Sequence, residues 1–497
     1  MGSGTVAEIR RAAGLTQLEL AEHLGVTTTT VSSWETGRAR PSAQHAEALG
    51  KIKPARATPQ QQPFRPIQYL GSKLRLVDDI VGRLQELAYG TGVVVDLYAG
   101  SGVVSGSLSQ KHHVLAVDAQ RYSTTMLKGL LLAPKSSLDF ASTSTFESAF
   151  RGRFTILRDA FADLIELEND ALESALQGDA SLLNAMIEGG SIEANRIRAT
   201  ASEPLRAPIL RALQNAKGGL SGTPTTVLRY FSGPYFGYAQ GVELQALLHA
   251  VSIADPAARP ALLGVLLSVA SHVVGTVGKQ FAQPMRLLKA GGRAQPLLVV
   301  RSVRDRRISI WSEYRRWLSR WHDALAARKY DDNTVAEGDA ATVLAASRMP
   351  LSAIYADPPY TIDHYSRFYH VLETISRGDD PGLQLDRKGV PLRGLYRPDR
   401  YQSPFCIPSE VAAAFGRLFS SIASKSVPLL LSYSDFEASS RHRPRVMTME
   451  GIKRLASTHF RTVEVLSAGP HSHRKLNATH VNSATNPIAE YFLICRP

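Results

Sequence analysis

The sequence predicts an α/β protein: a sheet of buried parallel strands, a long helical insertion, and a small all-α module in front of them. Three stretches carry that expectation. Val93-Val94-Val95-Asp96-Leu97 is an apolar run that breaks into Tyr98-Ala99-Gly100-Ser101-Gly102, the pattern of a buried strand entering a glycine loop. Ser352-Ala353-Ile354-Tyr355-Ala356 is a second apolar run, and Pro358-Pro359 stops it, because proline fixes φ and has no N–H for a ladder. Residues 5–50 instead show short apolar periods of helical spacing.

A chain of 497 residues is long enough for two or three domains with sizeable cores. Its hydrophobic fraction of 44% is that of an ordinary globular protein. A formal net charge of +13 favours a polyanionic partner. The two cysteines, Cys406 and Cys495, cannot build a disulfide framework, no metal-ligand spacing is present, and a reducing cytoplasm fits. No basic segment leads into an apolar core at the N-terminus, so no signal peptide is expected. Ala261 to Gly278 approaches the length of a membrane span. Ser268, Ser271, His272 and Thr276 interrupt it and no aromatic anchors flank it, so a buried helix is expected and no membrane partner.

Taken in order, Thr16 and Glu19 form a capping box for a helix whose Leu18, Ala21 and Leu24 share one face and which Gly25 stops. Thr27 to Trp34 makes a second short helix, followed by Glu35-Thr36-Gly37-Arg38-Ala39-Arg40-Pro41. Residues 1–50 thereby resemble the Cro/repressor-like (Xre-type) helix-turn-helix. The resemblance implies that Thr28, Thr29 and Ser33 face bases while Gln17, Arg38 and Arg40 face the DNA backbone. Threonine gives weaker base readout than Arg, Asn or Gln, and a protein-docking role for the module stays open. Residues 51–66 hold Pro54, Pro59, Pro63 and Pro66 with a glutamine run, a semi-extended linker. Residues 67–497 form the second domain.

Tyr69-Leu70-Gly71-Ser72-Lys73 is a tight loop before an amphipathic helix. The glycine loop after Leu97, the helix from Val103, and the strand Val114-Leu115-Ala116-Val117-Asp118 make a βαβ nucleoside-binding unit. Gly100 and Gly102 let backbone approach a ligand, and Asp118 lies about twenty residues past the loop, where an acid binds ribose hydroxyls. That spacing alone fits a nicotinamide dinucleotide equally well. Residues 131–340 are expected to be a helical insertion and target-recognition region. Asp163, Glu166, Glu168, Asp170 and Glu173 lie close together there without catalytic spacing. From Gln280 to Lys329 arginines dominate, Arg304, Arg306 and Arg307 among them, and read as a phosphate-facing surface. The interleaved Trp311, Tyr314, Trp317 and Trp321 fall at helical spacing and read as core.

Asp357-Pro358-Pro359-Tyr360 follows the second buried strand, at the strand end where open α/β sheets bind ligands. A nucleobase amine is a poor nucleophile because its lone pair is delocalised. Asp357 and the Pro358 carbonyl can both accept its N–H bonds, and Tyr360 can stack on the base. The loop Leu395 to Phe405 carries Arg397 and Arg400 for backbone contact or for covering a base, with an ordinary surface loop as the alternative. Leu429 to Ser434 reads as a further strand, and Thr462 to Leu466 with Ala489 to Cys495 as a closing pair. Between that pair, His471 and His473 offer no third metal ligand.

The Asp-Pro-Pro-Tyr motif, the Gly-Ser-Lys segment and the glycine loop together resemble the Dam-like DNA adenine methylases, over about residues 64–130 and 225–497. The resemblance implies a Rossmann-like S-adenosylmethionine-dependent methyltransferase fold with an antiparallel last strand, acting on N6 of a flipped adenine in double-stranded DNA. It implies catalytic roles for Asp357, Pro358, Pro359 and Tyr360. It implies S-adenosylmethionine contacts from Tyr69, Lys73, Asp96, Tyr98, Gly100, Gly102, Asp118, Asp339 and Asp357, with Asp96 near the methionine amino group and Asp339 near the adenine. Restriction or defence proteins are the partners such an enzyme would have. Cytosine N4 methylation, RNA or protein-amide methylation, and a repressor with a methyltransferase-like sensor are the competing readings.

Overall fold

The computed structural model describes residues 6–12, 17–35, 37–51, 63–198, 203–218, 225–434, 446–468 and 490–497. Thr16 and the histidine loop at 471–475 lie outside the described residues. The chain divides into two compact units, Met1–Gln62 and Pro63–Pro497.

The first unit is all helical: Val6–Ala12, Gln17–Leu24, Thr28–Glu35 and Ala43–Lys51. Leu20, Ala21, Val31 and Leu49 are its buried core. The Thr27 hydroxyl accepts from the Thr30 amide (3.2 Å) and so caps the third helix. Gly25 turns the chain between the second and third helices at φ +66°, a region that favours glycine.

The second unit is built on a seven-stranded sheet. Its strands are β1 (Val93–Leu97), β2 (Val114–Asp118), β3 (Thr334–Glu337), β4 (Leu351–Ala356), β5 (Leu429–Tyr433), β6 (Thr462–Ser467) and β7 (Tyr491–Arg496). Their spatial order is β3-β2-β1-β4-β5-β7-β6. The first five run parallel, and β7 lies antiparallel between β5 and β6. The expected mixed α/β sheet with an antiparallel closing strand is thus present.

Side chains alternate faces along a strand, and two cores follow from that. Val94, Val114, Ala116, Ala353, Tyr355 and Leu430 point to one core, shared with the helical insertion. Val95, Leu97, Leu115, Val117, Ile354, Ala356 and Leu431 point to the other, under helices Ala340–Ala346, Val411–Ala423 and Met449–Ala456. The inner strands β1, β2, β4 and β5 are almost wholly buried because both of their faces are covered.

The insertion ends earlier than the expected residue 340. Thr334–Glu337 is the edge strand and pairs in parallel with β2 from Leu115 to Asp118. The linker is also shorter than residues 51–66: Lys51 belongs to a helix, and the Phe64 ring packs edge-on against Trp321 at 5.4 Å. The apolar stretch from Ala261 is the helix Arg259–Val273, most of whose residues are buried. Its serines have partners: Ser268 accepts from the Trp321 indole (2.9 Å), and Ser271 accepts from the Gln68 amide (3.1 Å). No helix among the described residues is long and apolar enough to cross a membrane.

Two arginines expected on the DNA-facing surface are interior groups. Arg306 is 2% exposed at its side chain and pairs with Glu168 at 2.5 Å. It also donates to the carbonyl oxygens of Gly233 and Phe236. Arg397 is likewise 2% exposed, held by Asp379 and Asp399 at 2.7 Å each. A linear charge run does not reveal that the Arg306 guanidinium meets a buried carboxylate 138 positions away.

Breaking a buried pair strands the surviving charge. Arg306→Met is therefore expected to lower stability by about 3–5 kcal/mol in urea unfolding, with no change in the salt dependence of DNA binding. A weakened salt dependence with unchanged stability would return Arg306 to the surface set.

Candidate active site

A cleft open to solvent lies at the carboxyl edge of the parallel strands. Tyr69 to Gly71, Tyr98, Val117 to Gln120, Gly338 and Ala340 line it, as do Asp357 to Tyr360, Tyr365, Ser366, Tyr401 and Ser403. Four separate chain ends meet there because β1, β2, β3 and β4 all stop at the same edge.

On one side stands the glycine loop. Tyr98 has φ +62°, a left-handed conformation uncommon for a bulky residue. Its hydroxyl is buried with no hydrogen-bond partner among the described residues. Gly100 follows at φ +54°, and a Cβ there would meet the Tyr69 ring at 2.7 Å. Tyr69 is fixed in turn by stacking on Tyr369, with centroids 5.0 Å apart. The Asp118 carboxylate spans the loop, accepting from the Gly100 amide (2.9 Å) and the Gln120 amide (2.9 Å). Both of its oxygens keep a further lone pair for a ligand. Burial pushes Asp118 up to about 6, against the backbone bonds that hold it down.

On the other side stands the Asp-Pro-Pro-Tyr turn. Asp357 Oδ1 receives the Lys73 ammonium at 2.8 Å and the Ser432 hydroxyl at 3.0 Å. Since Ser432 donates to Asp357, the Tyr355 hydroxyl donates to Ser432 (2.8 Å). All of these contacts fall on Oδ1, which leaves Oδ2 as an acceptor. Burial pushes Asp357 above the ordinary carboxylate range, with Lys73 opposing. Burial works against the charged Lys73 as well, but Asp357 and Glu490 outweigh it and hold the ammonium well above its usual value. Tyr360 packs edge-on against Tyr433 at 5.8 Å.

Other expected site residues stand elsewhere. Asp96 is buried and accepts from Ser105, and it is not among the lining residues. Strand alternation turns it, like Val94, toward the helix Val103–Leu108, and burial raises it to about 7. Asp339 is exposed and caps the helix Ala340–Ala346 through Thr342 (2.9 Å), while its neighbours Gly338 and Ala340 line the cavity. Arg400 is half-buried, lies over the Tyr396 ring at 4.6 Å and donates to Gln384 (2.8 Å). Arg304 and Arg307 are exposed, although Arg304 also touches Asp305 at 2.9 Å. In the first unit Thr28, Thr29, Arg38 and Arg40 are exposed and Ser33 is half-buried. The Gln17 amide is engaged inside the module, donating to Glu35 at 2.7 Å beside Arg10.

Sequence reasoning missed Ser432, Glu490, Tyr401 and Ser403. Ser432 was visible only as part of a strand. Glu490 had no motif at all, and no local signal marks an acid that meets a lysine more than four hundred positions away.

A mostly parallel α/β sheet with a glycine loop, a buried acid and an Asp-Pro-Pro-Tyr turn at one edge is consistent with a Rossmann-like methyltransferase fold. Residues 69–204 and 319–420 match the D12 class N6 adenine-specific DNA methyltransferase family, and residues 6–52 match a helix-turn-helix family. The chain is an adenine-specific DNA methyltransferase with an N-terminal helix-turn-helix module. No curated protein matches it. The family implies S-adenosylmethionine as the methyl donor.

For an acid whose pKa is raised on folding, the folded state binds more protons between the unfolded value and the raised one. Stability therefore falls as pH rises through that window. Asp118→Asn is expected to raise the stability of the ligand-free protein by about 1–3 kcal/mol above pH ~6, with the gain fading toward pH ~4. Thermal melts across that range check it, and a pH-independent effect would sink it.

Proposed function

We propose that the cavity holds S-adenosylmethionine and a flipped adenine side by side, with the cofactor toward Asp118 and the base toward Asp357 and Tyr360. The observation that carries this reading is the charge of the cavity wall. Asp118 and Asp357 line it, and among the described residues no lysine or arginine does. Such a wall favours a sulfonium and an ammonium over an anion. The donor set also suits the cofactor: Asp118 offers acceptors for ribose hydroxyls, Gly100 admits close backbone approach, and the orphan Tyr98 hydroxyl offers a polar partner.

Tyr69 and Lys73 act here mainly by shaping the site, Tyr69 as a wall over Gly100 and Lys73 through Asp357. Asp339 supports the cofactor end by fixing the turn at Gly338. Gly102, at φ +79°, starts the following helix, and Asp96 supports the loop from behind through Ser105.

The bound cofactor supplies an electrophilic methyl group, which passes to the amine nitrogen as the carbon–sulfur bond breaks and its electron pair stays on sulfur. Asp357 Oδ2 accepts one N–H of the adenine amine and the Pro358 carbonyl accepts the other, which restores lone-pair density on nitrogen. Pro359 makes the turn rigid, and Tyr360 stacks on the base. The methylated nitrogen then releases one proton, with Asp357 the nearest acceptor. The amine must leave the duplex to reach this position, and most of the rate comes from alignment.

DNA docks through exposed basic groups and short hydroxyl side chains. Arg38 and Arg40 with Thr28, Thr29 and the half-buried Ser33 serve the helix-turn-helix. Arg304 and Arg307 serve the insertion, where exposed Arg286, Lys289 and Arg293 add to them. A cytoplasmic role in host modification, paired with a restriction or defence protein, fits a site-specific enzyme of this kind.

In cells lacking adenine methylation, expression of the protein is expected to place N6-methyladenine at one short motif, read by single-molecule sequencing. Asp357→Ala should abolish that signal while leaving DNA affinity largely intact. Near-wild-type methylation by Asp357→Ala would overturn the mechanism. The double variant Arg304→Ala, Arg307→Ala should lessen the salt slope of DNA binding by about 2, and an unchanged slope would place the DNA elsewhere.

A further inference from the structure

The site contains a third charged partner that the reaction as described does not use. Glu490 precedes β7 and is nearly as buried as the lysine it meets. Its Oε1 lies 2.7 Å from Lys73 Nζ, with side-chain exposures of 5% and 4%. Three oxygens surround the Lys73 ammonium: it donates to the Gly71 carbonyl at 3.2 Å and forms ion pairs with Asp357 Oδ1 at 2.8 Å and Glu490 Oε1 at 2.7 Å. It acts as a clasp between two carboxylates, one in the cavity wall and one behind it.

The topology explains how Glu490 reaches this place. In a parallel sheet the first residue of a strand lies at the edge opposite the site. Because β7 is antiparallel to β5, with Tyr433 opposite Tyr491, its start lies at the carboxyl edge instead. The Glu490 carbonyl is held there by the Ala468 amide (3.0 Å).

We propose that Glu490 is a positioning residue: it clamps Lys73 onto Asp357 Oδ1, which fixes the carboxylate with Oδ2 free for the adenine amine and keeps the pair from collapsing into a simple neutral ion pair. Lys73 shared between two acids leaves one net negative charge beside the methyl-transfer position. That charge favours the amine nitrogen as it becomes positive in the transition state. Lys73 facing Asp357 alone would cancel it. This inference rests on the methyltransferase reading above.

The groups facing Asp357 are Lys73, Glu490, Ser432 from β5, Tyr355 from its own strand, Tyr360 and Tyr365 beyond it, Tyr69, and Asp96 from β1. Of these, Glu490 is the like charge that Asp357 feels most. A like charge disfavours ionisation, so neutralising Glu490 lets Asp357 ionise at lower pH.

The test uses the full chain, with single-turnover methylation of duplex DNA at saturating S-adenosylmethionine across about pH 5 to 8. Calorimetric binding of S-adenosylmethionine to the DNA-free protein over the same range supplies a second readout. Glu490→Gln keeps the side-chain size and removes the charge. It should slow the plateau rate ~10-fold or more at unchanged DNA affinity. The acid limbs of both rate and cofactor binding should move down by roughly half a unit to one unit. Glu490→Asp keeps the charge with less reach, so its acid limb should stay near wild type while its rate falls. If Glu490→Gln does not fold, the Asp variant and the cofactor titration still decide. Wild-type rate and limbs in Glu490→Gln would overturn the proposal. So would a slowed enzyme with unmoved limbs and a lowered melting temperature, since that is a merely structural glutamate. A wild-type protein that leaves DNA unmethylated would sink the parent reading instead, and the binding limbs would still judge Glu490.

Discussion

A charge withdrawn from water must be paired, and Lys73 is the charge around which this site is assembled. Its ammonium holds together the loop before β1, the turn after β4 and the residue before β7. None of those three segments packs tightly by its own apolar content: each is a turn or a strand end. These close contacts to one ammonium fix their spacing. That spacing sets where Asp357 stands relative to Tyr69, Gly100 and Asp118 across the cavity. The same clasp explains why the last strand runs antiparallel to some purpose, since a parallel strand would carry its first residue to the far edge.

The site is assembled against stability. Asp118 and Asp357 are carboxylates pushed above their ordinary range by burial, and Tyr98 keeps a left-handed backbone with an unpartnered hydroxyl. Strain and unsatisfied polarity of this kind persist only where the surrounding structure over-determines them. Here two covered sheet faces do so. The strands β1, β2 and β4 are clamped by cores on both sides, so their carboxyl ends cannot relax away from the cavity.

The insertion between β2 and β3 follows the same physics. Its aromatic stripe is core: Phe146 stacks on Tyr314 at 5.9 Å and Trp321 is fully buried. Its arginines divide by what they meet. Arg306 finds the interior carboxylate of Glu168 and becomes part of the scaffold, whereas Arg304 and Arg307 remain outside. The basic character seen in the sequence is thus shared between folding and surface charge.

Much of this protein was legible in the sequence because the signals were local. Apolar runs ended by glycine or proline marked β1 and β4, an apolar run ending in Asp118 marked β2, and residue spacing marked the helix-turn-helix. The Asp-Pro-Pro-Tyr turn and the Gly-Ser-Lys segment named the chemistry, since a rigid acid-bearing turn is encoded in consecutive residues. What required the tertiary structure was every property that depends on who stands opposite. These include the burial of Arg306 by Glu168, the turning of Asp96 away from the cavity, the edge strand inside the expected insertion, and the meeting of Lys73 with Glu490. Hydrophobic period and turn chemistry act over a few residues and can be read along the chain. Pairing of buried charges acts across the fold, and only the packed sheet decides which partners it brings within reach.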